Sequence, residues 1–248
     1  MSNLSGMKMS GMAINGKYSA MPADFASLKL DLDFLNSASI TFNGSNISQI
    51  NDASGQSRNF SQATAALQPL WTAGLGATFS SDFLECASNL ISDSIGTFLI
   101  ILRFDRTNTV DYLFSLGDSA VVDGDDFDFS KLGTGSNNVR STLRMGTLPG
   151  IGSGMTFTDT TTFRIFVLQQ DNIYVNSVQD TIVLYGSNPL SRWFNQSPTP
   201  NRMTIGRAAG SAAAFGLITV KRVSYFNSKL SNGDIVRVVN GLKAYYNI

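Results

Sequence analysis

The chain has 248 residues, enough for one large all-β domain with a well-filled core or for two small domains. Its 18 basic and 18 acidic residues cancel, which leaves no electrostatic footprint for nucleic acid or for an anionic membrane surface. His is absent and Cys86 is the single cysteine, which excludes Ser-His-Asp and Cys-His centres, the usual catalytic zinc site and any intrachain disulfide.

With no His to act as its base, Cys86 reads as a buried, inert thiol. Seventeen Asp and one Glu, Glu85, make up the 18 acids, so a pair of catalytic Glu residues cannot be assembled, while an Asp pair stays open. The longest dense apolar run, residues 98–102, is far too short to span a bilayer, so no membrane insertion is expected. Lys8, Ser10 and Gly11 interrupt the N-terminal stretch where a signal peptide would carry its apolar segment, which predicts synthesis in the cytoplasm.

Residues 1–26 are rich in Gly, Ser and Met and show no period. They read as an arm, either folded back on its own domain or docked on a neighbouring subunit through its methionines. Leu28, Leu30 and Leu32 alternate with Lys29, Asp31 and Asp33, the period of a half-buried strand. Strands at 39–42 and 47–50 flank Asn43-Gly44, a strong hairpin signal because both residues accept positive φ cheaply. A second turn falls at Asp52-Ala53-Ser54-Gly55, and Trp71, just after Gln68-Pro69, is expected in the core. Short strands are predicted at 77–80 and 83–86, around Ser81-Asp82.

Residues 96–104 are apolar on both faces, which predicts a central strand covered on both sides. Strands at 111–116 and 139–145 follow, the latter with Arg140 and Arg144 on a wet face. A meander is expected over 163–168, 173–175 and 181–185, with turns at Asp171-Asn172 and Asn176-Ser177. Strands at 203–206 and 217–226 complete a β-sandwich pattern. One helix closes the series: Ser231 is its expected N-cap, with Asp234 in the first turn. Ile235, Val239 and Leu242 recur at helical spacing, with Val238 and Tyr245 beside them.

Three stretches could hold a ligand. Asp123, Asp125 and Asp128 gather carboxylates around Gly124 and are the candidate Ca²⁺ ligands, although the spacing is not that of an EF-hand and a solvated acidic turn has the same composition. The loop 187–201 carries Arg192, Trp193, Phe194 and Asn195 among three prolines, a set suited to a sugar ring or to a protein partner, and equally to a loop aromatic folded over the core edge. The Gly-rich stretch 146–154 lacks the Gly-Lys-Ser/Thr ending of a phosphate loop and reads as surface loop.

Ile50, Asp52, Ser54, Gly55, Asn59, Gln62, Thr64, Gln68 and Pro69 match a turn motif, and Tyr225, Asn227, Leu230 and Ser231 match a strand-to-helix close. Together they resemble the concanavalin A-like (laminin G-like) lectin and glucanase jelly-roll domains, in particular those of bacteriophage virion proteins. Ile50 stands where the motif has Trp, and Ser57 where it has a second Gly. The resemblance implies an all-β fold: a concanavalin A-like jelly-roll β-sandwich at 27–248, with a C-terminal α-helix and the N-terminal arm at 1–26. It implies a non-enzymatic virion structural protein of a tail, fibre or capsid surface. Such a protein would form a homo-oligomer and bind host-surface glycan or neighbouring virion proteins, with no required cofactor and no nucleic-acid partner. Glucanases of this fold use two Glu residues on one strand, which this chain lacks. The alternatives are a glycan-degrading enzyme on the same fold and a capsid decoration subunit with no glycan ligand.

Overall fold

The computed structural model describes residues 13–14, 17–106, 111–118, 127–131, 138–143, 155–156, 160–169, 172–176, 182–187, 200–209 and 215–248. Within the arm, β1 (Ala13–Ile14) pairs with β2 (Lys17–Tyr18). The strands that follow are β3 (Leu28–Asp33), β4 (Ile40–Asn43), β5 (Asn46–Ile50), β6 (Phe60–Ser61), β7 (Leu70–Thr72), β8 (Gly76–Ser80), β9 (Leu84–Cys86), β10 (Thr97–Phe104) and β11 (Asp111–Gly117). Next come β12 (Phe127–Lys131), β13 (Asn138–Leu143), β14 (Met155–Thr156), β15 (Arg164–Gln169), β16 (Asn172–Asn176), β17 (Ile182–Ser187), β18 (Arg202–Ile205) and β19 (Leu217–Phe226), and then the helix α1 (Asn232–Tyr246).

The described pairings are antiparallel, and the sheet curls into a half-barrel that folds over on itself as an all-β sandwich. One wall runs β17–β16–β15–β10–β19 and contains the expected meander. The other runs β6–β9–β18–β11–β12–β13. The long strand β19 joins them: its first half pairs with β8 (Val220↔Ala77) and its second half with β3 (Arg222↔Asp33). Gly76 sits at this fork with φ +105, and a Cβ there would stand 2.3 Å from the Val220 carbonyl oxygen, so no other residue fits without moving backbone.

Two apolar layers result. Phe98, Ile100, Leu102 and Phe104 point between the walls, with Leu30, Leu32, Phe34, Phe60, Phe79 and Tyr225. Leu99 and Ile101 point the other way, onto Val238, Val239, Leu242 and Tyr246 of α1. That is why 96–104 carries no polar alternation. Ser231 caps α1, its Oγ accepting from Asp234 N at 3.2 Å. The helical stripe ends on Tyr246, only 5 % exposed, and not on Tyr245, which is 56 % exposed. Residue 246 lies four positions after Leu242 and stays on the buried face, whereas 245 is rotated off it.

The polar face of β3 is not wet. α1 covers it, and Asp31 meets Arg222 of β19 in a bidentate pair, Nε–Oδ1 2.8 Å and Nη2–Oδ2 2.5 Å. Ser224 Oγ donates to Asp31, Tyr246 Oη donates to Asp33 at 2.9 Å, and Arg222 Nη1 donates to Tyr246 Oη at 3.2 Å. Desolvation, the largest single influence on Arg222, works against its charge. The pull of Asp31, Tyr246 and Asp33 overcomes it and holds the guanidinium above its usual value. The last residues of the arm also lie on α1. Ala20 N donates to Arg237 O at 3.0 Å, and Met21 and Phe25 pack on the layer under the helix.

Candidate functional site

The motif residues hold the chain together. Asp52 Oδ1 accepts from Asp31 N and Ser54 N, and its Oδ2 accepts from Ser54 Oγ and Arg58 N. Asn59 Oδ1 accepts from Asp52 N. Arg58 reaches the carbonyls of Asn89 and Lys29. Gln68 donates to Gln62 O and accepts from Asn43. This set locks a turn onto β3 and β5. Ser57 takes φ +56, so the position where the motif has Gly still needs the left-handed conformation. Trp71 is half-buried and not in the core proper. Its Nε1 donates to Phe34 O at 2.7 Å, and the exposed Phe42 ring meets it edge-on at 5.2 Å. Cys86 is buried, and burial pushes its thiol above the usual range, as an inert thiol requires.

Of the ligand residues that the sequence suggested, Asp123, Asp125, Arg192, Trp193, Phe194 and Asn195 lie outside the described residues. Asp128 is placed in β12, opposite Ser115 of β11 and Thr142 of β13. Among the described residues no cluster of three or more His, Cys, Asp or Glu could hold a metal ion.

A different group converges on the outer face of β9 and β18. Glu85 pairs with Thr204 in the ladder, and their neighbours Leu84, Cys86, Met203 and Ile205 all point into the core. Alternation therefore turns Phe83, Glu85, Arg202 and Thr204 to the side away from that core, where Phe83 and Thr204 are buried under the chain that follows. Asp82 Oδ2 accepts from Ser80 N, and Phe83 N donates to Leu67 O, which fixes the start of β9. Gly206 takes φ +86, and a Cβ there would lie 2.5 Å from the Phe79 ring and 2.7 Å from Asp82 O. This turn brings the chain back across the outer face. Thr204 Oγ1 donates to Arg207 O, and Ala209 N donates to Ser115 Oγ at 3.0 Å.

Arg207 is thereby laid flat on Phe83, its Cζ 3.5 Å from the ring centroid. Its Nη2 is 3.3 Å from Glu85 Oε2, and Arg202 Nη1 is 3.4 Å from the same oxygen. The Glu85 side chain is 32 % exposed, Arg202 24 % and Arg207 10 %, so the group opens to solvent through Glu85 and Arg202. Arg207 Nε is buried and has no hydrogen-bond partner among the described residues. Desolvation first, and then Arg202, pull the Arg207 pKa below its usual value, against Glu85. Two guanidiniums facing one carboxylate leave a local surplus of positive charge beside the strand pair. Such a face is chemically suited to receive an anion.

No protein-family model matches the sequence, and no curated protein matches it. Solved structures do match in fold. The Trypanosoma rangeli sialidase in complex with sialic acid aligns over 96 % of this chain and 36 % of its own, at 16 % identity and TM-score 0.61. NanB bound to Optactamide, the sialidase of Streptococcus pneumoniae, aligns over 64 % of this chain and 26 % of its own, at 16 % identity and TM-score 0.51. The CBM40 of the Ruminococcus gnavus IT-sialidase aligns over 59 % of this chain at a TM-score of only 0.48. The chain spans about a third of the first sialidase and about a quarter of the second. At these identities the likeness is one of fold.

These neighbours correct the expectation that the chain is not an enzyme. That exclusion rested on the missing His and the missing Glu pair. Structures that share its fold over nearly its whole length include sialidases, of which this fold makes up about a third. Sialidases use a Tyr nucleophile and stand outside the two-carboxylate rule, so a missing Glu pair does not by itself exclude hydrolysis.

Proposed function

We propose that the chain is a glycan-recognising β-sandwich that serves a glycan-hydrolysing activity, and that it presents the outer face of β9 and β18 to the sugar. The observation that carries this reading is the Glu85–Arg202–Arg207 group: a half-exposed carboxylate and a cation on the paired strands β9 and β18, backed by Arg207 stacked on the buried Phe83 ring. The fold shared with sialidases supports it. The test is a glycan array probed with the full chain, together with an assay for sugar release from the glycans it retains. Retention of a defined glycan set that Arg202→Gln reduces is expected. An array with no retained glycan refutes the reading.

A second reading is favoured by the turn motif from Asp52 to Pro69. In that reading the chain would belong to a phage virion, in a tail, fibre or capsid surface, as a homo-oligomer in contact with other virion proteins. Mass spectrometry of purified particles tests it, and absence of the chain from those particles refutes it.

A further inference from the structure

We propose that Lys221 is a covalent capture site for a small aldehyde, which its ε-amine takes up as an imine on the helix side of β19. The proposal goes beyond the glycan reading and does not depend on it.

Lys221 is the extra residue of a bulge: the register between β10 and β19 steps from Ile101↔Arg222 to Leu102↔Val220. A bulge re-aims the side chain at the break. Here it lays Lys221 among aromatic rings, with Nζ 4.3 Å from the centroid of Phe163 and 5.9 Å from that of Tyr246. The residue as a whole is 7 % exposed. Its Nζ makes no hydrogen bond or ion pair among the described residues. Yet it is not one of the sealed polar atoms that lack a partner, so the stem is buried and the tip keeps contact with water.

The next residue is held in the opposite way. Arg222 is bidentate on Asp31, whereas no carboxylate is left for Lys221. Asp105 is spent on Arg103 Nε and Thr219 Oγ1, and Asp33 on Leu35 N, Tyr246 Oη and Arg222 Nη1. The charge that does act on Lys221 is a like one. Arg103 shares the Phe163 ring, its Cζ 5.3 Å from the centroid. Burial first, and then Arg103, push the Lys221 amine below its usual value. Apolar surroundings and an adjacent cation are the two devices that activate a lysine toward a carbonyl carbon.

The lone pair of the neutral amine adds to the aldehyde carbon, and the C=O π pair moves onto oxygen. The nitrogen gives up its two protons in turn to that oxygen, which departs as water and leaves C=N. Nothing is oxidised or reduced. The uncharged imine escapes the desolvation cost that the ammonium bears among these rings.

Reductive trapping tests this. The full chain is treated at neutral pH with glycolaldehyde or glyoxylate and sodium cyanoborohydride, and the adducts are located by peptide mass spectrometry. The two arms distinguish a neutral aldehyde from one that carries a carboxylate. With at least one of them, Lys221 is expected to be labelled several-fold faster than any of the six other lysines. Arg103→Gln removes the adjacent cation, so it should slow that labelling and move its pH midpoint upward, and Arg103→Lys should restore both. A lysine that serves only to pack would show neither change. Should Arg103→Gln fail to fold, the labelling ratio of the wild-type chain decides alone. Labelling of Lys221 no faster than that of the other lysines with either aldehyde, or a midpoint that Arg103→Gln leaves in place, overturns the proposal.

Discussion

Gly241→Ala should change sign with the arm. In a helix interior Ala is worth about 1 kcal/mol over Gly, and Gly241 lies inside α1. Its added Cβ, however, would stand 2.1 Å from Ala20 O, 2.9 Å from Ala20 C and 3.2 Å from Ala20 N. These are backbone atoms, so no rotamer change relieves the clash. The helix cannot retreat, because Val238, Val239, Leu242 and Tyr246 anchor it in the second apolar layer. The arm must lift instead. That breaks the Ala20 N–Arg237 O bond and uncovers Ser19, Ala20 and Pro22, which are all buried. The lost hydrogen bond costs about 0.5–1.5 kcal/mol, and the uncovered apolar groups about 1–2 kcal/mol more at roughly 0.8 per methylene. Against the helix gain, the full chain should lose about 1–2 kcal/mol of stability. In a chain lacking residues 1–20 the clash is gone, and the same substitution should stabilise by about 1 kcal/mol. Urea unfolding of the four proteins forms a double-mutant cycle. Equal destabilisation in both backgrounds would refute the docking of the arm on α1.

Ser57→Gly should stabilise by about 0.5–1 kcal/mol, since Ser57 holds φ +56 at a position that suits Gly; unchanged thermal unfolding would show that the turn carries no strain. Asp31→Ala should cost about 3–5 kcal/mol, because it strands a buried Arg222, and a denaturation midpoint near wild type would contradict that burial. Desolvation, reinforced by Asp33 and opposed by Arg222, raises the Tyr246 phenol well above 10.0. A raised pKa means that the folded state holds the proton more tightly. Its contribution is complete below pH 10 and is lost as pH climbs through the folded value. Melting temperature should thus fall above pH 10 less steeply in Tyr246→Phe than in wild type, and parallel curves would count against it. Calorimetry with and without chelator is expected to show only weak Ca²⁺ binding by Asp123, Asp125 and Asp128. Tight binding that survives their joint replacement by Asn points to other carboxylates.

Local signals were legible where one stretch decides its own geometry. Asn43-Gly44 makes its turn, with Gly44 at φ +62, and Ser231 caps its helix. The unbroken apolar run of β10 announced two covered faces. What failed depends on partners far along the chain. Asp31 alternates like a wet residue, and only α1 and Arg222 make it a buried one. The Arg207–Glu85 contact joins residues 122 positions apart, with no local pattern at either end. Glu85 drew notice only as the single Glu, and Gly206 was the sole local hint of the turn that places Arg207. The loop aromatics and the Asp cluster, read from composition, lie outside the described residues, apart from Asp128 in β12.

The fork at β19 also sets a timetable for synthesis. Asp31 on β3 waits for Arg222, 191 residues later, before its strand has a partner on that edge. At about 5–20 residues per second, a ribosome needs roughly ten to forty seconds to cover that distance. During that interval β3 and β8 each show a bare edge of N–H and C=O groups. The β4–β5 hairpin can close at once, but the two walls cannot. Nascent chains on neighbouring ribosomes therefore meet with open strands, and yield of soluble protein should depend on translation speed and on chaperone supply more than on the stability of the finished sandwich.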